Sequence, residues 1–404
     1  MSGKRILILT NRVPYPLNDG GNLAMHAMIE SYREAGWKVA LMSMNTTRHY
    51  ITPDQISRIY NDIDSFETVP VDNRVKPLNT MSNFLFSNVP NHVMRFTNAE
   101  FASRLKCTID DFDPDVIQVE SIFLTGYLAD VRKEGKIKTV LRLHNIEYQI
   151  WQRLAMEYKG FVKYFYFKNL SGRIKSYEEW AWKQYNLLLP ITDVDAAVVK
   201  QSDPAAPTLT VPFGIDTNKV KATQADLKKG YHIGAMDWIP NREAMTWFLQ
   251  DVWPTLHKEV PDFKFYFAGR DMPASFAKLN IEGATCMGEV PDANTFIADK
   301  KILIVPLRSG GGIRVKILEA MAAGKVVIST EIGMQGIDAI DDVHYIRAND
   351  ARAFINAVKW CLSKPEQAEI IANNARKLAL EKYDRQVIML GLNQKLQQML
   401  APKA

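Results

Sequence analysis

Cysteine is scarce in this chain, with Cys107, Cys286 and Cys361 far apart among 404 residues. That spacing excludes CxxC-type metal or redox pairs and offers no disulfide framework, which points to a cytoplasmic protein. Long apolar runs are missing too. No window approaches the roughly 20 apolar residues of a membrane-spanning helix, so any membrane contact is expected to be peripheral. Residues 6–9 follow Lys4 and Arg5 but are cut off by Asn11 and Arg12, too short for a secretory core, and are predicted to be a first strand. Charge of one sign is in small excess: +5 without clustering, which argues against a nucleic-acid partner and suits an anionic ligand or an acidic membrane surface. What is present, 47% hydrophobic and 24% charged residues, is ordinary for a globular protein, and the length predicts two domains.

The most informative stretch is residues 301–333, KILIVPLRSGGGIRVKILEAMAAGKVVISTEIG. Residues 302–307 are an apolar run of the kind buried in a parallel sheet, broken by Arg308, Ser309, Gly310, Gly311 and Gly312. A helix is predicted at once, because Ile313, Ile317, Leu318 and Met321 recur at helical spacing and Gly324 suits its C-terminal stop. Residues 326–329 then restart a strand. The glycines leave backbone N–H groups free and the helix aims its positive end into the same space, so an anion is expected there. Arg314 and Lys316, read as the first turn, oppose the helix dipole unless a diphosphate lies against them. Residues two apart on a helix diverge by about 200°, so Arg314, nearer the loop and able to grip phosphate bidentately, ranks ahead of Lys316. Glu319, deeper in the helix, is a candidate acceptor for a ribose diol.

The segment LEAMAAGKVVIST resembles the donor-site helix of the retaining GT-B glycosyltransferases of glycosyltransferase family 4, the group 1 glycosyl transferases. Their motif is two glutamates separated by seven residues. Glu319 matches the second, which the resemblance assigns to the nucleotide ribose. Gly311 stands in place of the first, so its work near the donor sugar falls to backbone amides, Arg308 or Ser309. Gly310, Gly311, Gly312 and Ile313 complete the expected donor loop. Family members carry an arginine and a lysine for the diphosphate in the first loop of the second domain, where this chain has Ala235 and Asn241; Arg242 is a candidate replacement.

Elsewhere, Gly20 and Gly21 open a helix after the first strand, without GxGxxG, and the resemblance turns them toward the acceptor. His144 ends the strand at 139–143; by itself it reads more readily as a satisfied core histidine than as a cleft residue, and the resemblance places it beside the donor sugar and β-phosphate. Asp193 and Asp195 spell DxD, but Thr192 and Asp193 precede an apolar helical run and read as an N-cap, so no metal or other cofactor is expected. Residues 81–96 mix aromatics with Arg95, a pattern that more often packs against its neighbours but also suits an acceptor groove or a lipid contact. Residues 151–183 interleave aromatics with basic residues, suggesting a basic amphipathic surface that packs inward or touches anionic lipid.

The resemblance implies an α/β, GT-B architecture: two doubly wound parallel-sheet domains facing a central cleft, with the C-terminal helix crossing back to the first domain. Expected boundaries are 1–205 with about 380–404 for the acceptor-side domain, 206–228 for a linker containing the hinge-like VPFGID, and 229–379 for the donor domain. The implied function is transfer of a sugar from a nucleoside diphosphate sugar to a hydroxyl of a glycan or lipid-linked acceptor, with retention, in bacterial cell-surface polysaccharide or glycoconjugate synthesis at the inner face of the membrane. His144, Arg314 and Lys316 are the expected catalytic residues. The rivals are a non-catalytic nucleotide-sugar-binding subunit and a GT-B nucleotide-sugar epimerase.

Overall fold

The computed structural model describes residues 4–17, 20–74, 83, 87, 89–129, 131, 135–157, 160–220, 225–277, 281–310 and 312–401. Gly311 lies outside them, as do parts of the predicted 81–96, 151–183 and linker segments. The chain divides into two compact units, Met1–Pro212 with Met389–Ala404, and Phe213–Ile388. The division falls inside VPFGID.

In unit 1 the strands are β1 (Arg5–Thr10), β2 (Lys38–Thr46), β3 (Ser65–Val71), β4 (Val116–Val119), β5 (Lys138–Leu143) and β6 (Leu187–Pro190), all parallel, in the order β3-β2-β1-β4-β5-β6. Ile6 pairs with Val116 at the centre of the sheet. The longer helices are α1 (Gly20–Glu34), α2 (Ala99–Phe112), α3 (Glu147–Glu157), α4 (Phe161–Trp182) and α5 (Asp193–Ser202). Helix α3 is capped from a distance: the Glu178 carboxyl on α4 accepts from the amides of Glu147 at 2.9 Å and Tyr148 at 2.8 Å, satisfying donors that a helix start leaves open.

Unit 2 repeats the winding with β7 (Asp226–Ile233), β8 (Lys264–Ala268), β9 (Ala284–Gly288), β10 (Lys300–Val305), β11 (Val326–Ser329) and β12 (Ile346–Arg347), in the order β12-β11-β10-β7-β8-β9. Its longer helices are α6 (Ile239–Trp247), α7 (Trp253–Glu259), α8 (Val315–Ala322), α9 (Ala351–Ser363) and α10 (Pro365–Lys382); α11 (Arg385–Leu400) then runs from this unit into the last segment of unit 1. There Asn393 Oδ1 accepts a hydrogen bond from Trp37 Nε1 at 3.0 Å.

The unbroken apolar run of β10 has a direct explanation. Ile302 and Ile304 pack with Phe248, Phe265 and Phe354 on one face, while Leu303 and Val305 pack with Ile317, Leu318 and Met321 on the other. With successive side chains on opposite faces, a strand covered on both sides must be apolar at every position. Each of the three fully buried α8 side chains contributes roughly 1.5–3 kcal/mol against exposure, which fixes α8 and the loop before it.

Two sequence expectations change. The linker predicted to reach 228 ends earlier, because β7 starts at Asp226 and pairs with Lys300. The N-cap of α5 is Thr192 rather than Asp193: its hydroxyl accepts from the Asp195 amide at 3.0 Å and donates to Asp195 Oδ2 at 2.7 Å. Asp195 is thereby engaged in the cap.

Candidate functional site

In a sheet wound in this order, neighbouring strands at the centre send their following loops in opposite directions and leave a crevice at their C-terminal ends. In unit 2 those strands are β7 and β10, followed by Gly234 and by residues 308–312. Arg308 stacks its guanidinium over Trp247 at 5.3 Å, and the exposed Ser309 hydroxyl lies 3.5 Å from Glu243. Gly310 has φ +104°, and a Cβ there would come within 2.9 Å of the Trp238 ring, so both backbone and space demand glycine. Gly312, also left-handed, delivers the chain to Arg314.

Helix α8 begins at Val315, one residue past Arg314, and this corrects the expected geometry. Arg314 is the extended N-cap (φ −91°, ψ 93°) rather than part of the first turn, so the 200° divergence does not apply to the pair. Its side chain is buried, lies 5.2 Å over the Trp238 ring and donates from Nη1 to the Gly312 carbonyl; burial draws its pKa down to about 10.

Lys316 reaches the other way, toward β7. Its ammonium donates to Asn241 Oδ1 at 3.1 Å and to His232 Nε2 at 3.2 Å. His232 Nδ1 stands 2.9 Å from the Ile304 carbonyl, which can only accept, so Nδ1 carries the proton and Nε2 is left as the acceptor. Burial first, and Lys316 second, hold this imidazole neutral. Desolvation, with Arg314 adding repulsion, draws the Lys316 pKa down to about 7. The cluster closes on Gly234, where a Cβ would sit 2.6 Å from Asn241 Nδ2 and 3.0 Å from Lys316 Nζ. Thus the first loop, which has Asn241 where a cation was expected, receives one from α8. Arg242 is exposed on α6 beside it and does not join the cluster. Ile313 is half-buried. Glu319 is exposed, yet desolvation pushes its carboxyl above the ordinary range; both hold for a group in a concave surface, open to solvent on one side.

Unit 1 carries a second concavity, a cavity of about 650 Å³ where the loops after β1, β2, β4 and β5 converge. His144, directly after β5, lines it, as does Gly21; Gly20 begins α1 next to it. Glu120, immediately after β4 and fully buried, holds His144 Nε2 at 2.7 Å. Burial alone would raise the Glu120 pKa, but His144, Arg142 at 3.9 Å and Gln118 at 2.5 Å outweigh it and keep the carboxylate ionised. Tyr32 extends the chain, donating to Gln118 at 2.5 Å. A carboxylate facing Nε2 fixes a proton there and leaves Nδ1 as the acceptor in neutral His144. No local sequence pattern marks Glu120, or Arg12, Arg48 and Arg74, which line the cavity with Arg95.

Residues 228–364 match the family model described as glycosyl transferases group 1. Unit 2 carries a group 1 glycosyl transferase domain. A 44.6 kDa uncharacterised protein in the cps region of Klebsiella pneumoniae is 24% identical over 96% of this chain and 98% of its own length. Among solved structures, sucrose-phosphate synthase from Thermosynechococcus elongatus is similar at a TM-score of 0.65 and 16% identity, covering 98% of this chain and 99% of that one. HepE from Anabaena, solved in complex with UDP, is similar at a TM-score of 0.65 and 14% identity, over 98% and 100% of the two chains. The paired six-stranded parallel sheets are the GT-B fold, and with the glycosyl transferase domain they place the chain among the glycosyltransferases.

Proposed function

We propose that this glycosyltransferase moves a sugar from a nucleoside diphosphate sugar to a hydroxyl of a glycan or lipid-linked acceptor, with retention of configuration. The observation that carries the reading is the Lys316 ammonium, hydrogen-bonded to Asn241 beside Gly234 at the mouth of the unit 2 sheet. A cation held there, close to Arg314 and to the left-handed glycines, suits the charge that develops on a departing diphosphate. In the reaction the bond between the anomeric carbon and the β-phosphate oxygen breaks, the acceptor oxygen bonds to that carbon, and the acceptor proton passes to the leaving phosphate. Glu319 serves the ribose, backbone amides of Gly310, Gly312 and Ile313 the phosphates, and His144 the donor sugar and β-phosphate. Lys316 ranks ahead of Arg314, because it reaches the first loop of the domain whereas Arg314 is turned onto Trp238.

The relative in a cps region, and HepE with UDP, support a UDP sugar used in cell-surface polysaccharide synthesis. Exposed Tyr164, Phe165 and Trp180 on α4 support a peripheral contact with the inner face of the membrane. Incubation with a panel of UDP and GDP sugars tests the function, with nucleotide release followed by chromatography and product configuration by NMR. Release with the sugar transferred or hydrolysed is expected. Reversible isomerisation of the donor would favour an epimerase; binding without turnover would favour a non-catalytic subunit.

A further inference from the structure

Four guanidiniums, those of Arg12, Arg48, Arg74 and Arg95, line the unit 1 cavity together with Glu120 and His144. Their surroundings differ. Arg74 is neutralised by Asp72, which it grips at 2.8 and 3.0 Å. Glu120 is committed to His144 and Arg142. Among the described residues, neither Arg48 nor Arg95 has a carboxylate within ion-pair distance. The half-buried Arg95 donates weakly to the Asn73 carbonyl at 3.4 Å, and its buried Nε has no hydrogen-bond partner among the described residues. Arg48 and Arg95 line the same cavity; burial lowers the Arg95 pKa, and although Tyr166 acts the other way, the charge of Arg48 lowers it further, as expected of two cations that repel. Leaving such N–H groups dry and two like charges adjacent is unfavourable unless an anion lies between them.

Resting on the glycosyltransferase reading, we propose that the acceptor carries an oxyanion, phosphate or carboxylate, close to the hydroxyl that receives the sugar, and that Arg48 and Arg95 grip it. The space fits a substituted sugar. Phe96 and Phe123, stacked with ring centroids 5.5 Å apart, give the same cavity an apolar wall for a pyranose face. Arg48 sits in the turn Thr47–His49 after β2, and Arg95 follows the short helix Asn91–Met94. Two separate segments thus supply the grip, which selects acceptors by charge rather than by sugar stereochemistry alone.

The test is equilibrium binding to the full-length protein at low salt, with UDP in excess to occupy any donor phosphate site. The probes are methyl α-glucoside, methyl α-glucuronide, glucose 1-phosphate and geranyl phosphate. Binding of the glucuronide and not the phosphates identifies a carboxylate-bearing sugar. The reverse identifies a phosphate, and geranyl phosphate above glucose 1-phosphate identifies a lipid carrier. In each case Arg48→Ala and Arg95→Ala should weaken the anionic probe at least ~10-fold and leave the affinity for UDP unchanged. Arg48 is exposed, so its variant should fold even where Arg95→Ala does not. Equal affinity for the neutral glucoside, no binding of any anion, or anion binding indifferent to Arg48→Ala overturns the proposal. Failure of UDP itself to bind overturns the donor reading instead.

Discussion

His232 Nε2 accepts a hydrogen bond from the Lys316 ammonium at 3.2 Å, joining the C-terminal end of one strand to the start of a helix 84 residues later. The pairing works only with a neutral imidazole, and the Ile304 carbonyl enforces that tautomer. With a pKa near 7, Lys316 is only partly protonated at neutral pH before a ligand arrives. A diphosphate favours the ammonium and raises that pKa, so binding takes up protons between about pH 7 and the higher pKa of the complex. Calorimetric titration of UDP at pH 7.5 in buffers of different ionisation enthalpy should show uptake approaching one proton, absent in Lys316→Ala. The same variant should bind UDP at least ~20-fold more weakly, with little change for uridine, on the scale of roughly 2 to 5 kcal/mol for a truncated buried charge pair. Asn241→Lys in that background should recover part of the loss. UDP affinity unchanged by Lys316→Ala would displace the donor site.

Glu120 and His144 form the corresponding pair in unit 1. Glu120→Gln should lower kcat roughly 10-fold or more, at about 1.4 kcal/mol per decade, while sparing UDP affinity. It should also destabilise the fold by about 3 to 5 kcal/mol, because Arg142 would remain buried without its counter-charge. Denaturant titration and steady-state kinetics measure the two effects separately. A fully active variant would free His144 from any dependence on this carboxylate.

The pH dependence of stability has a definite sign. Burial pushes the Glu147 carboxyl up to about 7 and the Glu178 carboxyl to about 8. Between the ordinary carboxylate pKa and those values the folded chain binds more protons than the unfolded chain, so stability falls as pH rises from about 5 to 8. Thermal melts across that range should show a declining Tm, with a shallower slope in Glu147→Gln. A Tm that climbs over the same interval would contradict the assignment.

Thr192→Ala removes the cap of α5 and should cost about 0.5–2 kcal/mol by chemical denaturation. Transfer activity should survive EDTA. Loss of activity that Mn²⁺ restores, with Asp195→Ala folded and inactive, would return the DxD to a metal role.

Vesicle sedimentation checks the membrane contact. Pelleting with anionic but not neutral vesicles at low salt, reduced in Phe165→Ser, is expected. Arg173, counted in the sequence among the basic residues of this segment, should be neutral in that assay, since its Nη2 is turned onto the carbonyls of Asn83 and Val89 at 3.2 and 3.0 Å.

Strands were legible wherever burial on both faces made them continuously apolar: residues 326–329 coincide with β11, and 302–307 lie mostly within β10. The helix start at 315 was not, because helical periodicity includes Ile313 and only the extended backbone of Arg314 excludes it. That displacement decided which cation reaches the first loop. The glycine loop announced itself through composition, whereas the Lys316 cluster joins three segments no local pattern connects. Glu120 looked like any polar residue after a strand. Arg12, Arg48 and Arg74 come from separate loops, and only the parallel order of the sheet brings loops after β1 and β2 to the same edge.

The hydrogen bond from Trp37 to Asn393 also sets a timetable. The central pairing of Ile6 with Val116 can form once about a third of the chain has left the ribosome, but the partner of Trp37 is made 356 residues later. At roughly 5–20 residues per second that is a wait on the order of 20 to 70 s, during which all of the second unit is synthesised. The first unit to begin folding is therefore the last to be finished, and a chain released before Asn393 leaves Trp37 without that partner.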